Sequence, residues 1–445
     1  MRGCMGGCWG RGRRPVGERA CCEPQQARVW NGSGSPNCDL GLDEVLERGR
    51  VWGEMNGMRL VLVGLMAAAL LGCEREAVVE KELEEQGLQA AGGGRKDWTG
   101  PRGGLAMQGR VNEAVPKNVG EAWTFTADAG IIAPAAIANG VVFVGSVWGT
   151  LFALDAKTGE KMWSFEAEDT IEAAPTVSEG KVFVGSNYGT LHALDVKTGK
   201  EVWHITIADK VSAAVNIVKS PDGTEDWILM NGYDGVARCL RVKDGSQVWE
   251  FSTDEYLNGS PAVVGGKYVV FGGCDAVIYT LNLADGKMVN ELVTEAYITA
   301  SVATYGEMVY VGNHANQVMG ANVLKEDLVW VYEDSEFPFF SAPAVTEESV
   351  FIGGRDKHLH AIDRKTGKGR WKVKTGGRVD SSPIAFDDAV VFGSTDGRLY
   401  AVSPKDGSEV WTLDLGEGLM AAPVYAEGMI VVGGGGDTVF GVSSR

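Results

Sequence analysis

The histidines are the first residues to test for metal or acid–base chemistry, because imidazole binds metals and exchanges protons near neutral pH. Only five are present. His358 and His360 are two residues apart, so on a strand they face the same side, but no third ligand follows at a readable spacing. His192 and His360 occupy the same position of an internal repeat. The pattern predicts ordinary strand positions and no metal site.

The eight cysteines are unevenly distributed and do not predict a disulfide framework. Five lie within residues 1–57, which leaves Cys73, Cys239 and Cys274 for the rest of the chain. Cys239 and Cys274 do not occupy matching positions of neighbouring repeats. Two buried free thiols are therefore the preferred interpretation, and a disulfide between them is the alternative.

Charge and composition narrow the class of protein. The 445 residues include 41 Lys and Arg against 59 Asp and Glu, which gives a net charge of -18 and a pI near 4.8. Such a chain lacks the basic face of a nucleic-acid-binding protein, so proteins and small molecules are the predicted partners. The 62 glycines against 14 prolines, with 44% apolar residues, favour an all-β domain with many tight turns.

A tryptophan recurs about every forty residues through the C-terminal three quarters of the chain. One spacing is twice as long, and Asn290 stands where the missing tryptophan is expected. Each repeat has four short apolar segments separated by glycine-containing turns, which is typical of four antiparallel strands. We expect each tryptophan to be buried between neighbouring repeats. The seven are Trp123, Trp163, Trp203, Trp249, Trp330, Trp371 and Trp411.

The repeats also predict how the domain closes. Eight units follow from Ile131 to Arg445, and the eighth ends before its tryptophan, whereas Trp123 has no unit before it. An N-terminal strand that completes the last unit would close the ring and leave no open edge. The sequence therefore predicts an eight-bladed β-propeller of four-stranded antiparallel blades over residues 121–445, closed by the N-terminal strand.

Three further segments are predicted before the repeats. Residues 1–57 have no strand or helix periodicity and precede a second methionine, so we interpret them as a mis-assigned start or an unstructured extension. Residues 58–72 contain an apolar run that is typical of a signal peptide and too short for a bilayer, which needs about 20 residues. Residues 73–120 are first acidic and then rich in glycine, which predicts a flexible tether.

Two short motifs in this region resemble known ones. Leu70-Leu71-Gly72-Cys73 resembles the lipobox of bacterial lipoproteins, which implies that Cys73 is lipidated and becomes the first mature residue. Glu74 follows, whereas an Asp there commonly retains lipoproteins in the inner membrane. The resemblance therefore implies a lipid anchor in the outer membrane, with the domain on the periplasmic face. The stretch from Trp98 to Gly104 resembles the segment ahead of many PQQ-like propellers and is expected to dock on the domain.

The repeat itself, clearest from Ala174 to Trp203, resembles the PQQ-like (quinoprotein) β-propeller repeat. Two branches share this fold: dehydrogenases that use PQQ and a metal ion, and the BamB family of lipoprotein scaffolds in outer-membrane β-barrel assembly. The adjacent cysteines typical of the dehydrogenases occur here only as Cys21-Cys22, before the signal peptide. The resemblance therefore implies a BamB-like, non-enzymatic scaffold without cofactor or catalytic residues, expected to be a monomer within a complex. One alternative is a quinoprotein-type oxidoreductase or ligand-binding propeller. Another is an extracytoplasmic interaction module with an unrelated partner.

Aromatic and apolar residues cluster in the loops that emerge on one face of the predicted propeller. Exposed residues of this kind are common anchors of protein interfaces, so the face is predicted to bind a protein partner; in the alternative, some of them plug the channel mouth. In the BamB family a similar inter-blade loop carries apolar residues and an arginine that contact the barrel-forming subunit, and Phe337 to Phe340 resembles it without the arginine. The candidate residues are Trp148, Tyr188, Tyr233, Tyr256, Leu257, Phe337, Phe339 and Phe340.

Overall fold

The computed structural model describes residues 97–445, which form an eight-bladed β-propeller. These residues contain 32 strands and one turn of 3-10 helix, Pro101–Gly103. The strands form eight antiparallel sheets of four strands each, which confirms the predicted fold. The first strands of neighbouring blades contact one another and surround the central channel, and the fourth strands form the outer edge. Residues 1–57 and 58–72, with Cys73, lie outside the described residues.

The blades follow one another along the chain. Blade 1 has β2 (Ala136–Ala138), β3 (Val141–Gly145), β4 (Thr150–Asp155) and β5 (Lys161–Glu166). Blade 2 has β6 (Thr176–Ser178), β7 (Lys181–Gly185), β8 (Thr190–Asp195) and β9 (Glu201–Thr206). Blade 3 has β10 (Asn216–Lys219), β11 (Asp226–Asn231), β12 (Val236–Arg241) and β13 (Gln247–Ser252). Blade 4 has β14 (Ala262–Val264), β15 (Tyr268–Gly272), β16 (Val277–Asn282) and β17 (Met288–Val293).

The second half of the ring repeats the same order. Blade 5 has β18 (Ala303–Tyr305), β19 (Met308–Gly312), β20 (Val318–Asn322) and β21 (Asp327–Tyr332). Blade 6 has β22 (Ala344–Val345), β23 (Ser349–Gly353), β24 (His358–Asp363) and β25 (Gly369–Lys374). Blade 7 has β26 (Ile384–Ala385), β27 (Val390–Gly393), β28 (Arg398–Val402) and β29 (Glu409–Asp414). Blade 8 has β30 (Val424–Ala426), β31 (Met429–Gly433) and β32 (Thr438–Ser444), with β1 (Val119–Thr126) as its outer strand.

The pairing of β1 with β32 closes the ring, as predicted. The two strands are antiparallel, and their register runs from Val119 opposite Ser444 to Thr126 opposite Thr438. The strand at the beginning of the described chain thus completes the sheet formed by its end. No blade is left with three strands and an extra open edge.

The repeat tryptophans lie between blades, as expected from their spacing, but only Trp123, Trp249 and Trp330 are buried and the other four are half-buried. Trp249 shows the arrangement: its indole N–H donates to the Leu283 carbonyl of blade 4 at 2.8 Å, and a β-carbon added at Gly286 would lie 2.6 Å from its Cε3. Gly286 has a φ of +69°, so both the turn and the ring above it require glycine. In blade 4, where Asn290 replaces the tryptophan, its amide donates to the Val323 carbonyl at 2.9 Å and preserves the hydrogen bond.

Residues 98–113, which we call the channel segment, follow the wall of the central channel. Trp98 pairs with Ile137 of blade 1, and the carbonyl groups of residues 99, 105, 106, 108 and 109 accept hydrogen bonds from the first strands of blades 2, 4, 5, 6 and 7. Trp98 is fully buried. The expectation that the stretch from Trp98 docks on the domain is therefore met, and the prediction of a tether as far as residue 120 is wrong, because the channel segment satisfies its backbone groups against six blades.

Candidate functional site

One face of the ring is built from the hairpins between second and third strands and from the connections between blades. The two kinds of loop are hydrogen-bonded to each other. For example, the Tyr233 N–H donates to the Lys210 carbonyl at 3.0 Å, and the Cys274 N–H donates to the Tyr256 carbonyl at 3.0 Å. We call this side the hairpin face. The first-to-second and third-to-fourth strand turns form the opposite face, because neighbouring strands in each blade are antiparallel.

The hairpin face exposes several large aromatic side chains, as the sequence predicted. Trp148 is 74% exposed and Phe337 49% exposed, and Tyr188 and Tyr256 are also exposed. Tyr233 is half-buried because its ring stacks on Tyr256, with 4.8 Å between the ring centroids. Rings that remain this open in a folded domain are available to a partner.

Sequence reasoning missed Tyr297, which is 59% exposed in the connection between blades 4 and 5. Its repeat position is that of Tyr256 in the preceding connection, so alignment of the two connections would have found it.

Leu257 and Phe339 are not on this surface, which corrects the prediction that they contact a partner. Both are fully buried. They occupy the repeat position of Ile171, where each blade places an apolar side chain over the end of a second strand. A β-carbon added at Gly312 would lie 2.5 Å from the Cβ of Phe339, so this ring fills the space above the glycine and belongs to the core.

Phe340 lies in a mixed cluster on the hairpin face and is half-buried. The guanidinium carbon of Arg355 is 3.8 Å from the centroid of its ring, and His314 packs on it edge-to-face at 4.8 Å. Arg355 is held by Asp380, with 2.9 Å between Nε and Oδ1. Arg355 comes from the hairpin of the next blade, so the loop sequence alone gave no signal for an arginine beside Phe340.

The channel contains a cavity of about 160 Å³ beside the channel segment. Its wall consists mainly of alanine, serine and proline from the starts of the first strands, with Trp98, Arg102 and Met107 from the channel segment. The Arg102 guanidinium is held by main-chain carbonyls, including Pro383 O at 2.6 Å and Pro343 O at 3.0 Å. Burial lowers the pKa of Arg102 to about 9, which leaves it charged at neutral pH.

These residues do not fit PQQ with a metal ion. Cofactor sites are usually cavities of about 300 to 1,000 Å³ with convergent polar groups, and Ca²⁺ needs about six or more oxygen ligands. The cavity here is smaller, and within residues 97–445 no three His, Cys, Asp or Glu side chains are placed to hold a metal ion.

The histidines of the repeat are held by protein groups. His192 lies between two carboxylates, with Nδ1 2.7 Å from Glu201 and Nε2 3.0 Å from Glu168. His360 is buried, and its Nδ1 is 3.0 Å from the Tyr332 hydroxyl. Partial burial by itself would raise the pKa of Glu201, but the hydrogen bonds from His192 and His204 outweigh it and lower this pKa.

Cys239 and Cys274 are free thiols, the first buried and the second only half-buried.

The two faces of the ring differ in charge. The loops of the hairpin face contain 18 Asp or Glu and only 4 Lys or Arg. The turns of the opposite face contain 14 acidic and 11 basic residues. The exposed aromatic rings therefore lie on the strongly acidic side of the molecule.

Comparison with known proteins agrees with this architecture. The family model described as outer membrane protein assembly factor BamB matches residues 107–230, 233–374 and 355–445. The chain therefore belongs to the BamB family of PQQ-like β-propellers. No curated protein sequence matches the chain.

Solved structures of several functions share the fold. BamB from Moraxella catarrhalis is 18% identical, with a TM-score of 0.59, and the match covers 73% of this chain and 97% of that one. A quinohemoprotein alcohol dehydrogenase from Pseudomonas putida HK5 is 14% identical, with a TM-score of 0.66 and coverage of 78% and 80%. The computationally designed Ika8 protein is 17% identical, with a TM-score of 0.62 and coverage of 73% and 99%. At these identities the likeness shows the fold alone.

Across residues 97–445, no helix has the length and apolarity needed to cross a membrane.

Proposed function

We propose that this protein is a non-enzymatic scaffold of outer-membrane β-barrel protein assembly that binds a protein partner through its hairpin face. The observation that carries the proposal is the set of exposed aromatic rings on one acidic face of a BamB-family propeller. We further propose that it is anchored by lipid at Cys73 to the periplasmic face of the outer membrane and acts as a monomer within a complex.

Two exposed rings from separate inter-blade connections provide the direct test. Replacing Tyr256 and Phe337 by serine removes two rings that are about half exposed, at the loss of the stack of Tyr256 on Tyr233. The melting temperature should therefore stay within a few degrees, while co-purification of partners from detergent-extracted membranes falls at least tenfold. The matched control replaces Met162 and Val202, equally exposed residues of the outer strands of blades 1 and 2, and should co-purify as wild type. Unchanged co-purification in the first variant, or capture of partners with no role in barrel assembly, would refute the proposal.

A quinoprotein-type oxidoreductase is the second candidate, favoured by the structural likeness to quinohemoprotein alcohol dehydrogenases. The small cavity and its alanine- and serine-rich wall lead us to expect no stoichiometric quinone absorption band after incubation with PQQ and Ca²⁺, and no dye-linked oxidation of alcohols or sugars. A stoichiometric band together with turnover would replace the scaffold proposal with the enzyme.

A further inference from the structure

Three neighbouring hairpins of the hairpin face each place an aromatic ring beside a loop that carries an acid. The ring-bearing residues are Trp148, Tyr188 and Tyr233, from blades 1, 2 and 3. A β-carbon added at Gly149 would lie 2.6 Å from the Asp169 carbonyl oxygen, and the same contact recurs between Gly189 and Asp209 at 2.7 Å.

The third blade repeats this contact. A β-carbon added at Gly235, two residues after Tyr233, would lie 3.0 Å from the Glu255 carbonyl oxygen. The three hairpins are therefore packed against the three acidic loops in the same way. In blades 1 and 2 the ring-bearing residue immediately precedes this glycine, whereas in blade 3 Asp234 precedes it and Tyr233 stands one position earlier.

The three carboxylates are not neutralised within the fold. Asp169, Asp209 and Glu255 are all exposed, and none of the ion pairs formed by residues 97–445 includes any of them. The Oδ1 atoms of Asp169 and Asp209 accept only the N–H of the next residue, at 2.7 and 2.8 Å. Their negative charge is thus available to a partner.

The rings of this face already receive cations from the same chain. Lys210 Nζ lies 5.7 Å from the centroid of Tyr233, and Arg355 stacks on Phe340 at 3.8 Å. An aromatic face attracts a Lys or Arg side chain, and a carboxylate beside it adds an ion pair. Trp148 and Tyr188 are the most open rings of the three hairpins.

We infer that the hairpin face of blades 1 to 3 binds an extended, basic segment of a polypeptide partner, with successive Lys or Arg side chains taken by the Trp148–Asp169 and Tyr188–Asp209 pairs and by Glu255, beside the Tyr233–Tyr256 stack. Charge complementarity favours a basic segment, because the loops of the hairpin face contain 18 acidic and only 4 basic residues and would repel an acidic partner. The pairs follow the rim one blade apart, which suits a segment that lies along the rim. The inference rests on the proposed use of this face as the partner surface and adds the chemistry of the partner.

The test uses the purified full chain and octa-arginine amide, with octa-glutamate as the negative probe and titration calorimetry at physiological salt as the measurement. Replacing Asp169, Asp209 and Glu255 by Asn, Asn and Gln should weaken octa-arginine binding at least tenfold. The matched control replaces Glu160, Glu326 and Glu427 of the opposite face by Gln, which changes the net charge equally, and should weaken binding less than twofold.

The contribution of the rings is measured separately. Replacing Trp148 and Tyr188 by alanine should weaken binding at least fivefold, whereas replacing the exposed Met288 and Leu328 of the outer edge should not. Equal effects of the two charge variants, or no effect of the ring variant, would show that attraction by net charge alone explains binding and would overturn the inference. This experiment uses no membrane partner, so its failure would contradict the inference about a basic segment but not the co-purification result.

Discussion

Replacing Phe339 by alanine is expected to lower the free energy of unfolding by about 3 to 5 kcal/mol, the range for large aromatic truncations in a core. The ring is fully buried and packs over Gly312, against Ile352 and with its centroid 5.1 Å from that of His360. Its loss leaves a cavity between blades 5 and 6 that these neighbours cannot fill without moving main chain. Urea unfolding with equal m-values for the two proteins is the measurement.

Phe337 is the matched control, because it lies two residues earlier in the same connection and is half exposed. Phe337→Ala should change stability by no more than about 0.5 kcal/mol, as surface substitutions usually do. If Phe337→Ala were the more destabilising of the two, Phe337 and not Phe339 would be the buried ring of this connection.

Trp249→Ala should also cost about 3 to 5 kcal/mol. The indole is 7% exposed, covers Gly286 of the next blade and donates to Leu283 O at 2.8 Å, so its removal takes away a hydrogen bond as well as packing between blades 3 and 4. Thermal or urea unfolding monitored by circular dichroism measures the loss.

Trp148→Ala provides the comparison for the same residue type. Its side chain is largely in solvent, so we expect stability to change by about 0.5 kcal/mol or less. A loss as large as that of Trp249→Ala would mean that Trp148 is part of the packing between blades and would remove it from the proposed partner surface.

The fold could be predicted from sequence because one packing requirement is repeated. Six inter-blade contacts place a tryptophan ring over a glycine turn, and the pair recurs about every forty residues even where the rest of the repeat is less regular. Asn290 shows the limit of that signal, since it preserves the hydrogen bond to Val323 but not the ring.

The site was only partly predictable, because exposure within a loop depends on repeat position rather than on composition. Leu257 and Phe339 were grouped with their exposed neighbours, yet they align with Ile171, which is also fully buried. Comparison of the inter-blade connections position by position would have separated them.

Contacts between distant parts of the chain gave no such signal. The channel segment contacts six blades through main-chain hydrogen bonds, which leave no mark on side-chain pattern, so only the family resemblance of Trp98 to Gly104 indicated that it docks. Arg355 reaches Phe340 from the hairpin of the next blade, and nothing in the positions of the two residues in the sequence indicates that their side chains meet.

The pairing of β1 with β32 sets the order in which the protein can be completed. Among the strands of residues 97–445, β1 is synthesised first, and β32, its neighbour in the sheet, is synthesised last. Until β32 has been synthesised, blade 8 is incomplete and β1 has no strand to pair with. Contacts between distant parts of a chain form slowly, and an unpaired strand edge is open to wrong partners in the meantime. A chain cut short before Thr438 would lack β32 and would remain an open arc instead of a ring.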